Sequence, residues 1–183
     1  MISDIKTQNI ILVATLLVGL VSAVGLASSA SWYSGSYTIV RYLDIDLVDV
    51  RVANLDLENT TVNPALLFDF KVVAPSAAAG EAELSYFTMV VHLNGEKIAY
   101  APFRKSVPLD LRTIYPEYNQ TYTIGSTIIE DLDKQILYDA ATNDEWTFSL
   151  TLYVFYDVFQ SVGDQVRVIA YSYQGAPSGW EGI

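Results

Sequence analysis

The sequence contains no cysteine and only one histidine, His92, among its 183 residues. The absence of cysteine excludes disulfides, thiolate metal ligands and cysteine nucleophiles. A single histidine also leaves zinc sites and a Ser-His-Asp triad hard to assemble. His92 falls on the outer face of a predicted hairpin, so we interpret it as a solvated strand residue and not as a catalytic base.

Positive charge is scarce as well. Ten lysines and arginines stand against 21 aspartates and glutamates, which gives a net charge of −11 that is spread along the chain. Such a surface repels phosphate backbones, so we expect no nucleic-acid partner. The ten glycines form no phosphate-binding loop, and the sequence predicts no cofactor and no enzymatic activity.

Two groups of acids are the remaining candidates for a metal site, and both would be calcium sites: Asp44, Asp46 and Asp49 in one, and Glu130, Asp131 and Asp133 in the other. The first group lies along a predicted strand. The second lies in the first turn of a predicted helix, where acids favour the helix dipole anyway. Neither group has the spacing of an EF-hand loop, so a calcium-dependent enzyme or binding module is the lesser alternative.

Residues Ile10 to Ala30 form an uncharged apolar run of 21 residues. As a helix this run would span about 30 Å, the thickness of a bilayer core. It is longer than the roughly 7–15 residues of a signal-peptide core, although the small residues from Ala27 to Ala30 would suit cleavage. We predict a retained helix. With Lys6 before the run and Arg41 as the first cation after it, the domain is expected outside the membrane.

The same run is rich in small residues, including Gly19 and Gly25. Small residues let helices approach closely, so this segment could pack against copies of itself instead of lipid. The sequence therefore leaves two partners open for the helix, membrane lipid and other copies of the chain.

The domain boundaries follow from a change of pattern. Residues 1–30 form the hydrophobic helix and residues 31–41 a predicted linker, in which Trp32 and Tyr33 suit the aromatic belt of a membrane. Residues 42–175 form the predicted folded domain, and residues 176–183 a C-terminal tail.

Period-two alternation dominates the folded domain. Its clearest element is the pair Asn94-Gly95, which favours a type I′ hairpin turn. Folding the chain there pairs Leu93 with Glu96, Val91 with Ile98, and Met89 with Tyr100. Seven or eight strands are predicted in total, and these form an immunoglobulin-like antiparallel β-sandwich.

Two local irregularities are also predicted. The apolar alternation slips by one residue between Leu47 and Val48, which is typical of a β-bulge. One short helix interrupts the strands, with Thr127 and Glu130 as a capping box. Its apolar face is predicted at helical spacing and consists of Ile129, Leu132, Ile136 and Ala140.

Two Asn-x-Thr triplets begin at Asn59 and Asn119, both in predicted turns. Each is a candidate glycosylation site, because a domain outside the cell would expose both to the modifying enzymes.

The strand that follows Asn63-Pro64, together with the Leu93-Asn94-Gly95 hairpin, resembles late-embryogenesis-abundant, water-stress-type domains over Tyr42 to Tyr173. That resemblance implies an immunoglobulin-like or fibronectin-like fold without a catalytic centre, found in archaea and in some members anchored to a membrane.

The overall plan of an apolar N-terminal helix and an acidic, Thr- and Tyr-rich sandwich is also similar to archaeal surface-filament subunits and to the tethered sandwich proteins of the archaellum. We therefore predict a non-catalytic, membrane-tethered β-sandwich with a structural or assembly role at the cell surface, where other surface-layer or filament proteins could be partners. The alternative is a subunit of a pilus-like filament that polymerises through its N-terminal helix.

Overall fold

The computed structural model describes residues 5–159 and 164–180, with side chains from residue 8 onward. The first four residues of the predicted helix and the last three of the predicted tail lie outside the described residues. Within the described residues there are two α-helices, one 3-10 turn (Leu109–Leu111) and eight strands: α1 (Ile5–Arg41), β1 (Asp44–Ala53), β2 (Ala65–Val73), β3 (Ala82–Leu93), β4 (Glu96–Ser106), β5 (Thr113–Ile114), β6 (Asn119–Thr127), α2 (Asp131–Asn143), β7 (Thr147–Asp157) and β8 (Gln165–Gln174).

The strands form two antiparallel sheets that pack face to face. One sheet has the order β1-β2-β6 and the other the order β4-β3-β7-β8, with the short β5 also paired to β3. Read in chain order, these are the A-B-E and C′-C-F-G arrangements of immunoglobulin-like sandwiches. The predicted fold class is confirmed.

The core follows from the alternation of apolar and polar residues. In β2, Leu66, Phe68, Phe70 and Val72 are buried between the sheets. Phe68 packs edge-to-face against Phe148 of the opposite sheet, with ring centroids 5.8 Å apart. Aromatic pairs in this arrangement add to the stabilisation that burial of their apolar area supplies.

The predicted bulge in the first strand is confirmed. Leu47 pairs with Phe70 and Asp49 with Asp69, so Val48 is the extra residue and is 59% exposed. One extra residue reverses the face on which the next side chains lie, because side chains alternate along a strand.

The β3–β4 hairpin agrees with the prediction at its turn and departs from it further along. Asn94 and Gly95 both have positive φ, 53° and 86°, as a type I′ turn requires. Leu93 pairs with Glu96, and Val91 with Ile98. The predicted pairing of Met89 with Tyr100 is wrong, since Met89 pairs with Phe103 across an irregularity in the ladder.

A buried carboxylate in α2 accounts for this shift. Asp133, 2% exposed, accepts hydrogen bonds from the backbone N–H groups of Ala99, Tyr100 and Ala101 at 2.8 to 3.2 Å. These N–H groups therefore bond to the helix and not to β3. A carboxylate that accepts several N–H bonds compensates the cost of its own burial. Asp133 was a calcium candidate in the sequence, and here it supports the bulge of β4.

The short helix begins later than predicted. Thr127 is the last residue of β6, and α2 starts at Asp131 with Glu130 as its N-cap and without a side-chain capping bond. The predicted capping box is therefore wrong. The predicted apolar face is wrong in part, because Ile129 and Leu132 are exposed, and the buried residues of the helix are Asp133, Leu137, Ala140 and Ala141. The need to reach β4 with Asp133 fixes which face of α2 turns inward.

The predicted linker at 31–41 is also wrong, because α1 continues without a break to Arg41. These last turns contain no proline, and Ser36 and Ile39 are buried against the sandwich. Tertiary packing therefore outweighs the weak helix propensity of the serines, glycine and tyrosines in this segment.

The described part of the predicted tail is bound to the sandwich. Ser178 forms a parallel bridge with Arg51 of β1, donates its N–H to the carbonyl of Val50 at 2.8 Å, and accepts from the N–H of Val52 at 3.0 Å. The tail thus covers part of an edge strand whose backbone groups would otherwise be open to another chain.

The turn geometry predicts the effect of replacing Gly95. A Cβ at this position would meet nothing within 4 Å, so the whole cost of Gly95→Val comes from the positive φ. We expect a loss of roughly 1–3 kcal/mol in the free energy of unfolding, measured by chemical denaturation. Gly95→Asn is the matched control and should cost less, because asparagine tolerates this backbone region. Equal losses for the two variants would contradict the type I′ assignment.

The role of Asp133 predicts a second effect on stability. Asp133→Asn keeps the shape but removes the charge and turns an N–H₂ group toward backbone donors, so we expect a loss of about 2–3 kcal/mol. Asp131→Asn on the same helix is the control, because Asp131 is fully exposed and makes only a distant ion pair with Lys134 at 3.8 Å. Similar melting temperatures for both variants would contradict the proposed support of the bulge.

Candidate functional site

The first half of α1 extends away from the sandwich. Within the described residues there is one helix, Gln8–Arg41, that is long and apolar enough to cross a membrane. The most apolar part of this helix is not buried against the sandwich. Gly19 and Gly25 lie in this exposed part, and a Cβ added at either would meet nothing within 4 Å.

The second half of α1 is fixed to the sandwich by close backbone contact. A Cβ added at Gly35 would lie 1.7 Å from the carbonyl oxygen of Ala79, so only glycine allows the helix this close. The buried hydroxyl of Ser36 accepts the N–H of Glu81 at 2.9 Å. Ile39, one turn later, is completely buried. We call this contact between Gly35, Ser36 and Ile39 and the sandwich the helix junction.

Three aromatic rings meet on the N-terminal side of the helix junction. Trp32 and Tyr33 contact each other at 5.1 Å between centroids, and Phe159, just after β7, lies 5.7 Å from Trp32 and 5.0 Å from Tyr33. Phe159 has a positive φ of 66°, an uncommon backbone conformation for a bulky residue. We call Trp32, Tyr33 and Phe159 the aromatic cluster.

A cavity of about 290 Å³ lies beside the aromatic cluster, between α1 and the adjoining ends of β3 and β7. Besides the three aromatic residues it is lined by Ala82 and by the acidic residues Glu81, Glu83 and Asp157. Glu83 and Asp157 are paired directly across the two strands. This end of the sandwich therefore combines exposed aromatic surface with negative charge.

A second groove, lined by the last turn of α1 and again by Phe159, contains two guanidinium groups that are already engaged. Arg41 lies over the rings of Tyr37 and Tyr42, 5.9 and 5.6 Å from their centroids, and Arg167 donates to the carbonyl of Leu43 at 2.5 Å. Both groups brace the transition from α1 to β1.

Tyr171 braces the same strand from the opposite sheet, where its hydroxyl donates to the carbonyl of Ile45. Burial raises the pKa of Tyr171 to about 12, and the nearby carboxylate of Asp46 acts in the same direction. The phenol therefore stays protonated, and able to donate, throughout the physiological pH range.

The calcium candidates are not brought together. Asp44 and Asp46 are exposed along β1, whereas Asp49 lies beyond the bulge, accepts from the hydroxyl of Ser178 at 2.9 Å and lies 3.9 Å from Arg51. In the second group, Asp131 points to solvent while Asp133 is buried under the β4 bulge. Across residues 5–159 and 164–180, no group of three or more His, Asp or Glu side chains is placed to hold a metal ion.

The glycosylation candidates are both exposed. Asn59 lies in the loop between β1 and β2, where its side-chain oxygen accepts from the backbone N–H of Thr61 at 3.3 Å and from its hydroxyl at 2.5 Å. Asn119 was predicted in a turn. It is instead the first residue of β6 and pairs with Val73.

His92 is half-buried on β3 and pairs with Lys97 and Ser149 in the neighbouring strands. Its register opposite Lys97 is as predicted. Neither cross-strand neighbour is a carboxylate that could orient an imidazole for proton transfer.

The sequence alone does not predict the helix junction or the position of Phe159 beside α1. Ser36, Ile39 and Val40 do keep helical spacing, and this pattern could have extended the helix past Trp32. No local pattern in the sequence predicts the contact between Trp32 and Phe159, because more than 120 residues separate them along the chain.

No family model and no curated protein matches the chain. Solved structures with a similar course of the chain include a protein from Archaeoglobus fulgidus, at 13% identity and a TM-score of 0.42, covering 72% of this chain and 98% of that one. An X-ray structure from the Northeast Structural Genomics Consortium is similar at 10% identity and a TM-score of 0.46, covering 77% and 91%. A solution structure described as a late embryogenesis abundant protein is similar at 12% identity and a TM-score of 0.35, covering 90% and 92%. These values assign neither a family nor a function.

The helix junction predicts a specific effect of Gly35→Val. The added side chain would collide with the backbone at Ala79, so the helix must separate from the sandwich or the sandwich must distort. We expect faster proteolysis between α1 and β1 and a loss of about 1–3 kcal/mol in stability, measured by limited digestion and thermal unfolding in detergent. Gly25→Val is the control and should change neither. A normal digestion pattern for Gly35→Val would contradict the close contact.

Proposed function

We propose that the protein is a non-catalytic β-sandwich that is tethered to a membrane by α1, lies outside the cytoplasm and serves a structural or assembly role at the cell surface. The observation that carries this proposal is the continuity of α1. An apolar, uncovered helix of membrane-spanning length runs without a hinge into a junction where it is buried against the sandwich.

A stiff connection suits a positioning role. A flexible linker would let the sandwich sample many heights and orientations above the membrane. The close approach at Gly35 and the hydrogen bond to Ser36 instead hold the sandwich in one orientation relative to the helix. A protein that must present a surface at a defined height gains from such rigidity.

The assignment of no catalysis rests on the chemistry that the described residues bring together. Among the described residues that line the cavity, Glu81, Glu83 and Asp157 are accompanied by Ala82 and the three aromatic residues. General acid–base chemistry needs a base within hydrogen-bond reach of the reacting group and a partner that orients it.

A filament subunit is the second candidate, and one observation favours it. The exposed half of α1 carries Gly19 and Gly25 with open space around both, so that neighbouring helices could approach closely there. Two glycines six residues apart do not match the tight GxxxG spacing, however, and for that reason we prefer the anchor.

Extraction with mild detergent distinguishes the two candidates. A tethered protein should leave the membrane as a small micellar species, because the apolar length of α1 is then covered by detergent. The double variant Gly19→Leu and Gly25→Leu should remain attached to the membrane, since leucine preserves the apolar character on which insertion depends. Sedimentation velocity and membrane fractionation measure these outcomes.

The filament alternative gives the opposite results. A helix bundle would survive mild detergent and sediment as a polymer, and the added bulk of Gly19→Leu would abolish that polymer. Such a pair of results would overturn the anchor. Leu20→Ile is a matched control that leaves bulk and hydropathy in place, so it should alter neither behaviour.

A further inference from the structure

The position of the aromatic cluster along α1 sets its height relative to a membrane. Trp32 and Tyr33 lie two and three residues beyond Ala30, the last residue of the predicted apolar run, which is about 3–5 Å further along a helix. The headgroup layer on each side of a bilayer is about 5–8 Å thick. If Ala30 marks the edge of the hydrocarbon, the aromatic cluster falls within the headgroup layer.

The sandwich itself reaches this height through Phe159. This ring contacts both helix aromatics and is still 44% exposed, as Tyr33 is 54% exposed. Aromatic side chains favour the membrane interface. The positive φ of Phe159 turns its side chain toward α1 at a cost in backbone strain, which the surrounding contacts must offset.

The neighbouring carboxylates limit how deep this end can lie. Glu81 and Glu83 are exposed beside the cluster. A carboxylate is strongly disfavoured in hydrocarbon, whereas the headgroup layer is hydrated and polar. The aromatic cluster and the carboxylates of Glu81 and Glu83 can therefore lie together in the headgroup layer but not in the hydrocarbon core.

From this geometry we infer that the end of the sandwich at Phe159 is a lipid-contacting surface, seated in the headgroup layer of the membrane that α1 crosses. The sandwich then rests on the bilayer and does not stand clear of it. This inference depends on the proposed tether, and it adds a second contact between protein and lipid.

Single-cysteine labelling tests the inference, because the chain has no cysteine of its own. Four variants of the full-length protein are labelled with an environment-sensitive fluorophore and reconstituted in phosphatidylcholine vesicles: Leu20→Cys, Phe159→Cys, Glu83→Cys and Glu96→Cys. Leu20 lies in the middle of the apolar run. Glu96, the first residue of β4, lies at the turn that follows β3, about 35 Å from the cavity along that strand. Quenching is measured with nitroxides attached either to lipid headgroups or to acyl chains.

Labels at positions 159 and 83 should be quenched severalfold more strongly by headgroup nitroxides than the label at position 96. The label at position 20 should respond most to acyl-chain nitroxides. Position 83 reports on the same end of the sandwich without altering the aromatic cluster, so a local disturbance by Phe159→Cys would not obscure the result.

The two possible failures are distinguishable. If position 20 is quenched while positions 159 and 83 behave like position 96, the tether stands and the lipid-contacting surface is overturned. If position 20 is not quenched by either nitroxide, α1 does not cross the bilayer, and both the tether and the surface are overturned.

Discussion

The contact between Gly35 and the backbone at Ala79 is the constraint on which the rest of the arrangement depends. The missing side chain brings two backbones together, and this places Ser36 where it accepts the N–H of Glu81 and Ile39 where it is fully buried. Hydrogen bonding and apolar burial then act on the same helical turn. These contacts fix the orientation of the exposed apolar helix relative to the folded domain.

The sandwich supplies the matching half of that constraint. β3 starts directly after the loop that meets Gly35, and it is the central strand of its sheet, paired with β4, β5 and β7. Near the other end of β3, the buried carboxylate of Asp133 accepts hydrogen bonds from three N–H groups of β4. These bonds allow β4 to leave its regular pairing with β3. A buried carboxylate at this position is tolerated because it is fully bonded.

Much of the fold could be predicted from the sequence because its determinants are local. The alternation in β2, the phase slip at Val48 and the turn at Asn94-Gly95 depend on neighbours within a few residues. The register beyond Val91 could not be predicted, since it depends on Asp133, which is more than 30 positions away. The helical state of residues 31–41 was missed for the same reason, because its stability comes from burial against the sandwich and not from helix propensity.

The candidate site combines both kinds of determinant. The sequence predicts Trp32 and Tyr33 at a membrane interface from their position alone, within a linker. In the continuous helix, both rings contact Phe159, which lies just after the end of β7. If α1 is the proposed tether, its continuity would transmit any tilt of the helix in the membrane directly to the sandwich. Under the proposed tether, interfacial aromatics at the base of the sandwich would oppose such tilt, because tilting would pull them out of the layer that they favour.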